Sequence, residues 1–178
     1  MNDPHLQRLR LLDSAAVSDA LDNLGLSGVV SGLRQYGGAQ AGGRLAGRAL
    51  TVKLGPAVAG AAPAASPGSQ AVDAGGSEHV LVIEQRTGID AACWGGLLTL
   101  GATMRGIQGA VIDGAIRGVE ESAGYNFPIF SRGLTARSAR GRLIEEAIGV
   151  PVRIGTEGQD LVTVQAGDYV LADRTGMV

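Results

Sequence analysis

From residue 4 to residue 24 the apolar positions Leu6, Leu9, Leu12, Val17, Leu21 and Leu24 recur at three to five residues, the spacing of one helix face. Asp13 or Ser14 falls where an N-cap would restart the helix, and Gly25 is a natural stop. Ala46 to Leu54 alternates in part and predicts a strand, with Gly55-Pro56 as its terminator. Pro56 to Gly68 is dense in Ala, Pro, Gly and Ser; it reads as a weakly ordered loop or a poor helix without chemistry. His79 to Glu84 (HVLVIE) is a short strand of the buried type. Trp94 to Arg105 then has helix character, Gly109 to Asp113 returns to strand, a second short helix follows Arg117, and Pro128 to Phe130 is another strand.

Strand, helix, strand, helix, strand in that order implies parallel strands joined by right-handed crossovers. The final third differs: Val152 to Ile154, Leu161 to Val164 and Tyr169 to Ala172 are short strands between Gly-containing turns, expected to form antiparallel pairs beside the parallel part. There is no internal repeat and no boundary. The expected fold class is therefore α/β, one domain over residues 1–178, with a mixed sheet or layered sheets.

Composition narrows this picture. Aromatic residues make up 3% of the 178, while glycine alone numbers 29, so the core rests on Leu, Val, Ile and Ala with close backbone approaches. A net charge of −2 excludes a general polyanion-binding surface, and with it a nucleic-acid partner. Arg132, Arg137, Arg140 and Arg142 sit in a Gly/Ser-containing stretch and read as a solvated loop. A single cysteine, Cys93, excludes an internal disulfide and fits a reducing compartment. No stretch approaches a membrane span or a signal peptide, so a cytoplasmic protein without a membrane partner is expected. No cysteine or histidine spacing suggests zinc; His5 and His79 read as structural, and no cofactor is expected.

The segment with most chemistry in it is WGGLLTLGATMRGIQGAVIDGAIRGVEE, Trp94 to Glu121. Gly95 and Gly96 precede a helix, whose first N–H groups lack intrahelical acceptors and suit an anion. The strand ending at Asp113 delivers Arg117 to the carboxyl edge of the sheet, where ligands of open α/β sheets bind. An arginine facing a helix start would clamp a carboxylate. Asp113 is either a turn residue bonding near Gly114 or a base beside Arg117. Cys93, just before the helix, lacks a histidine partner in sequence, and Trp94 suits a core edge or subunit contact. Ser18-Asp19 reads as surface or capping.

The order WGGLL, VIDGAIRG, FPIFSRG, GDYVLADRTGMV, with VSDALDNLG and GRLAGRALTV ahead of it, resembles the RraA-like family, which joins regulators of ribonuclease activity A with 4-hydroxy-4-methyl-2-oxoglutarate aldolases. The resemblance implies a layered α/β/β domain with mixed sheets, assembled as a trimer or a hexamer. It also implies a 2-oxo acid held by Arg117 and by the amides of Leu97 and Leu98. In the metal-dependent aldolases an acidic residue stands where this chain has Gly96, an Asp where it has Gly118, and an acidic residue where it has Glu121. Two of these three carboxylates are missing, and the metal half of the site goes with them. Asp90 and Glu120 are the nearest acidic substitutes in the chain.

These readings make the substrate-binding residues Gly95, Gly96, Leu97, Leu98 and Arg117, the catalytic ones Arg117, Asp113 and Glu121, and the metal ligands none. The expected function is binding of a small carboxylate or oxo acid by a metal-independent lyase or isomerase. A non-catalytic regulator that binds a protein partner, as the RraA branch does with a ribonuclease, is one alternative; a metal-dependent aldolase or oxaloacetate decarboxylase with rearranged ligands is the other.

Overall fold

Two aspartates organise the start of the chain. In the computed structural model, which describes residues 3–38, 43–58 and 66–178, Asp3 accepts from the N–H groups of His5 (3.0 Å) and Leu6 (3.1 Å) and caps helix α1, Pro4–Leu9. Asp13 accepts from Ala16 N–H at 2.8 Å and caps α2, Ser14–Asn23. Leu26 N–H reaches the Leu21 carbonyl and Gly25 N–H that of Asp22, a paired C-terminal closure that needs the left-handed φ of +66° at Gly25. Only part of the predicted apolar face is used. Leu6 is buried with Ala46 and Leu171, and Leu9 and Val17 pack on them, while Leu12 and Leu24 lie exposed.

The strands are β1 (Arg34–Gln35), β2 (Leu45–Pro56), β3 (His79–Glu84), β4 (Ala92–Trp94), β5 (Ala110–Ile116), β6 (Ile129–Leu134), β7 (Leu143–Ile148), β8 (Val152–Ile154), β9 (Val162–Val164) and β10 (Tyr169–Ala172). The remaining helices are α3 (Ser69–Ala74), α4 (Gly96–Met104) and α5 (Val119–Gly124). The large sheet runs β1-β6-β5-β3-β2-β10, and β2, β3, β5 and β6 are mutually parallel within it. β1 and β10 are antiparallel edges, and β7 pairs antiparallel with the second half of β2. β3 follows β5 as far as Glu84 opposite Asp113; β4 then takes over that edge, with Ala92 opposite Ala115 and Trp94 opposite Ile116. β8 and β9 form a separate antiparallel pair.

Successive side chains of a strand point to opposite faces, and here both faces are covered. Leu81, Ile83, Ala110, Ile112 and Ile116 pack with Val72 of α3 and Ala102 of α4. Val80, Val82 and Val111 pack the other way, on Val152, Ile154 and Val164 of the small sheet. Helices, large sheet and small sheet are thus three layers, which accounts for the unbroken apolar run of β3. Each fully buried Val, Leu or Ile contributes on the order of 2 kcal/mol over an exposed one.

Several boundaries differ from the pattern reading. Trp94 closes β4 instead of opening a helix, because its carbonyl accepts from Arg117 N–H at 3.1 Å, and the helix begins at Gly96. Gly55-Pro56 does not terminate β2; both residues pair with β7, Gly55 opposite Ile144 and Pro56 opposite Leu143. α3, β4 and β7 carry no sequence signal strong enough to predict them. β7 (LIEEAI) is composed like a helix and is held extended by its partner β2. The expectation of weak order across 56–68 falls partly on residues 59–65, which lie outside the described residues.

Candidate anion site at the start of helix α4

The site forms where β5 ends. Arg117 N–H donates to the Trp94 carbonyl, and Thr135 N–H donates to that of Ile116 at 3.1 Å, so the chain leaves the sheet anchored on both sides. Gly118, at φ +63° and ψ +40°, then turns it into α5, a conformation that favours glycine. Opposite, α4 starts at Gly95 and Gly96 with no side chain capping its N-terminus. Its first-turn N–H groups have no intrahelical acceptor, and the helix dipole places partial positive charge there.

Folding brings four of the predicted residues together. A Cβ built on Gly118 lies 3.5 Å from the Gly96 nitrogen and 3.8 Å from Glu121 Oε2. The Glu121 carboxylate itself fills the space that a side chain on Gly96 would need. Arg117 lies alongside Gly95, its Cγ 3.6 Å and its Nε 4.0 Å from the Cβ position of that glycine. The Arg117 side chain is exposed, and among the described residues it has no hydrogen-bond or ion-pair partner; the same holds for the Glu121 carboxylate. One unpaired cation and one unpaired anion therefore flank an uncapped helix start. Leu97 is exposed and Leu98 packs against the core, so each can offer only its backbone to a ligand here.

Asp113 is not gathered into this group. The pleat of β5 sends it with Val111 toward the small sheet, where its carboxylate accepts from Arg132 Nε (2.7 Å), Arg86 Nη1 (3.0 Å) and Gly155 N–H (3.1 Å). With its side chain 7% exposed and both oxygens engaged, it ties β5 to β6, to the segment after β3 and to the end of β8. Arg132 is correspondingly not a solvated loop residue: it also donates to the Ser31 carbonyl at 2.8 Å. Arg137, Arg140 and Arg142 are exposed, Arg137 pairing with Asp90 at 3.3 Å. Glu120 is exposed on α5. Burial pushes the Cys93 thiol up to about 12, which keeps it protonated and unreactive. His79 accepts from Gly76 N–H at 3.1 Å, and His5 packs edge-on to Tyr169.

Pattern reading missed a buried polar chain beneath the site. Trp94 Nε1 donates to Thr99 Oγ1 at 2.9 Å; that oxygen lies 3.1 Å from the Gly95 carbonyl and 3.0 Å from Ser122 Oγ. A threonine inside α4 and a serine inside α5 give no signal in sequence, since only the docking of the two helices brings them together. Among the described residues no three His, Cys, Asp or Glu side chains gather as a metal would require. None of the described helices is long and apolar enough to cross a membrane.

Comparison with known proteins places this geometry. The family profile described as RraA-like, Aldolase/RraA, matches residues 14–178. Protein DlpA of Legionella pneumophila is 32% identical over 97% of this chain, although the chain spans only 27% of DlpA. A putative 4-hydroxy-4-methyl-2-oxoglutarate aldolase of Halalkalibacterium halodurans is 31% identical over 97% of this chain and 74% of its own length. Among solved structures, Streptomyces coelicolor RraAS2, described as an unusual member of the RNase ES inhibitor RraA protein family, superposes with a TM-score of 0.81 at 25% identity, covering 99% of this chain and 84% of that one. With the three-layer fold and the meeting of the α4 start with Arg117, these matches show that the chain belongs to the RraA-like family.

Proposed function

We propose that the chain is a metal-independent lyase or isomerase acting on a small oxo acid. The observation that supports this most is the unpaired Arg117 guanidinium beside the uncapped first turn of α4, with the Glu121 carboxylate against Gly96. A substrate carboxylate or developing enolate oxygen would be held by Arg117 and the amides of Gly96, Leu97 and Leu98, with Gly95 giving the close backbone approach. Glu121 would take a proton from the carbon next to the carbonyl, or from a hydroxyl one carbon further on. In the first case the C–H electron pair becomes the enolate double bond and the carbonyl electrons move to oxygen. In the second the C–C bond breaks, its electrons form the enolate, and a second carbonyl compound leaves. Fixed donors aimed at the developing charge supply the stabilisation.

A divalent ion does not suit these residues. Magnesium is held through one or two carboxylates with near-octahedral oxygen geometry, and Gly96 and Gly118 offer no side-chain oxygen. Asp113, engaged by two arginines on the small-sheet side of β5, takes no part in the proposed chemistry. The test is calorimetric titration with oxalate and pyruvate, followed by turnover assays in excess chelator. Arg117→Ala should weaken oxalate binding by about 2 kcal/mol, the size of a lost charge-assisted hydrogen bond. No binding to the unaltered protein would remove the reading.

A second reading, a regulator that binds a protein partner, draws support from Leu97 and Met104, 75% and 80% exposed one heptad apart on α4. A stoichiometric protein partner whose binding is lost on Leu97→Asp, together with no turnover on any oxo acid, would favour it.

A further inference from the structure

The polar chain under α4 has only one arrangement of protons that leaves no group unmet. An indole N–H only donates, and a hydroxyl has one proton and two lone pairs. Ser122 Oγ is fully buried, and Thr99 Oγ1 is its partner among the described residues, so the Ser122 proton goes to Thr99. Trp94 Nε1–H donates to the same oxygen. Both Thr99 lone pairs are then occupied, and its own proton goes to the Gly95 carbonyl, 3.1 Å away. That carbonyl also accepts from Thr99 N–H at 3.0 Å.

The Gly95 carbonyl and the Gly96 N–H are two ends of one peptide unit. A carbonyl that accepts two hydrogen bonds polarises its peptide, strengthening the N–H at the far end, and the planarity of the unit fixes where that N–H points. We infer that Thr99 is a positioning residue: its hydroxyl, loaded by Trp94 and Ser122, orients and polarises the Gly95–Gly96 peptide so that Gly96 N–H is a preorganised donor to the bound anion. Gly95 and Gly96 lack side chains and no side chain caps the helix, so the hydrogen bonds recorded at this peptide's carbonyl both come from Thr99: the ordinary helical N–H bond and the added hydroxyl. The inference rests on the anion-site reading above and adds to it the group that sets the donor.

The experiment compares the unaltered protein with Thr99→Val, Thr99→Ala, Thr99→Ser and Ser122→Ala, using oxalate as the probe. Trp94 is the only tryptophan, so its indole N–H resonance and emission report the chain directly. Thr99→Val and Thr99→Ala should move the indole N–H resonance upfield and weaken oxalate binding by about fivefold, within the range of one lost buried hydrogen bond. Thr99→Ser, which keeps the hydroxyl, should bind within about twofold of the original. Ser122→Ala leaves the Thr99-to-Gly95 bond in place but removes one of the two donors to Thr99, so it should weaken oxalate binding by less than Thr99→Val does. Full-strength oxalate binding in a folded Thr99→Val or Thr99→Ala protein with a displaced indole resonance would overturn the positioning role alone. Equal losses in Thr99→Ser and Ser122→Ala would assign the effect to helix packing and overturn it too. Failure of the unaltered protein to bind oxalate would overturn the anion site and this inference together.

Discussion

Glycines 96 and 118 decide what chemistry the site can perform. Glu121 fills the side-chain space of Gly96, but its carboxylate is the end of a flexible chain and can be displaced. Aspartate at 118 must adopt a φ of +63°, at a cost of about 1 kcal/mol. The unaltered protein should therefore show no magnesium- or manganese-dependent cleavage of oxaloacetate or of a 4-hydroxy-2-oxo acid. Gly96→Asp combined with Gly118→Asp should bind manganese measurably by calorimetry, with melting lowered by the strain at 118. Ordinary turnover by the unaltered protein, abolished by chelation, would contradict this. At this scale the glycines, Arg117 and Glu121 were legible because they are adjacent in sequence or aligned by resemblance. The partners of Asp113 were not: Arg86, Arg132 and Gly155 lie 19 to 42 positions away and meet it only across strands and layers.

The elements around the site are held by carboxylates that cap backbone from a distance. Glu145 on β7 accepts from Gly68 N–H at 2.7 Å and supplies the cap that the start of α3 lacks. Asp160, before β9, accepts from Ser31 N–H and Oγ and from Thr156 N–H, and so ties the β8–β9 connection to the segment ahead of β1. Desolvation raises the Asp160 carboxyl, but the hydrogen bonds and the nearby Arg132 outweigh it and hold it at about 2, against an ordinary 3.8. A depressed carboxylate contributes stability that is present above its unfolded value and is lost as pH falls through the folded one. Asp160→Asn should accordingly flatten the fall in melting temperature between pH 3.8 and about 2, the interval set by those two values. An unchanged slope in thermal melts across that interval would show the tie to be inert. Periodicity found β3, β5 and the restart of the helix at Asp13, but it could not find β7, whose strand state comes from β2.

At the scale of the whole molecule, exposed apolar side chains remain after α1 and α2 and on α4: Leu11 at 82%, Leu24 at 71%, Leu97 at 75% and Met104 at 80%. Isolated exposed apolar side chains are ordinary, but Leu97 and Met104 on one short helix suit burial against another copy of the chain. We expect a trimer or a dimer of trimers. Sedimentation velocity at micromolar concentration should show it, and a stable monomer there would end the expectation. Leu97→Asp should shift the distribution toward smaller species if α4 lies in that contact.

By itself the sequence determined the class of fold, because hydrophobic period and turn residues are local properties that survive any arrangement of the layers. Read with the family resemblance, it also pointed to Gly95, Gly96 and Arg117 converging, since each follows the end of a strand expected to run parallel to the other. Only the tertiary structure decided the rest. It turned Asp113 away from Arg117, because the pleat sends alternate residues to opposite faces of the sheet and Asp113 meets Arg86 and Arg132 on the face toward the small sheet. It put the Glu121 carboxylate over Gly96, and it joined Trp94, Thr99 and Ser122 beneath them. Those contacts depend on how α4 docks on α5, and helix docking is set by the shape of the whole core rather than by any segment of the chain.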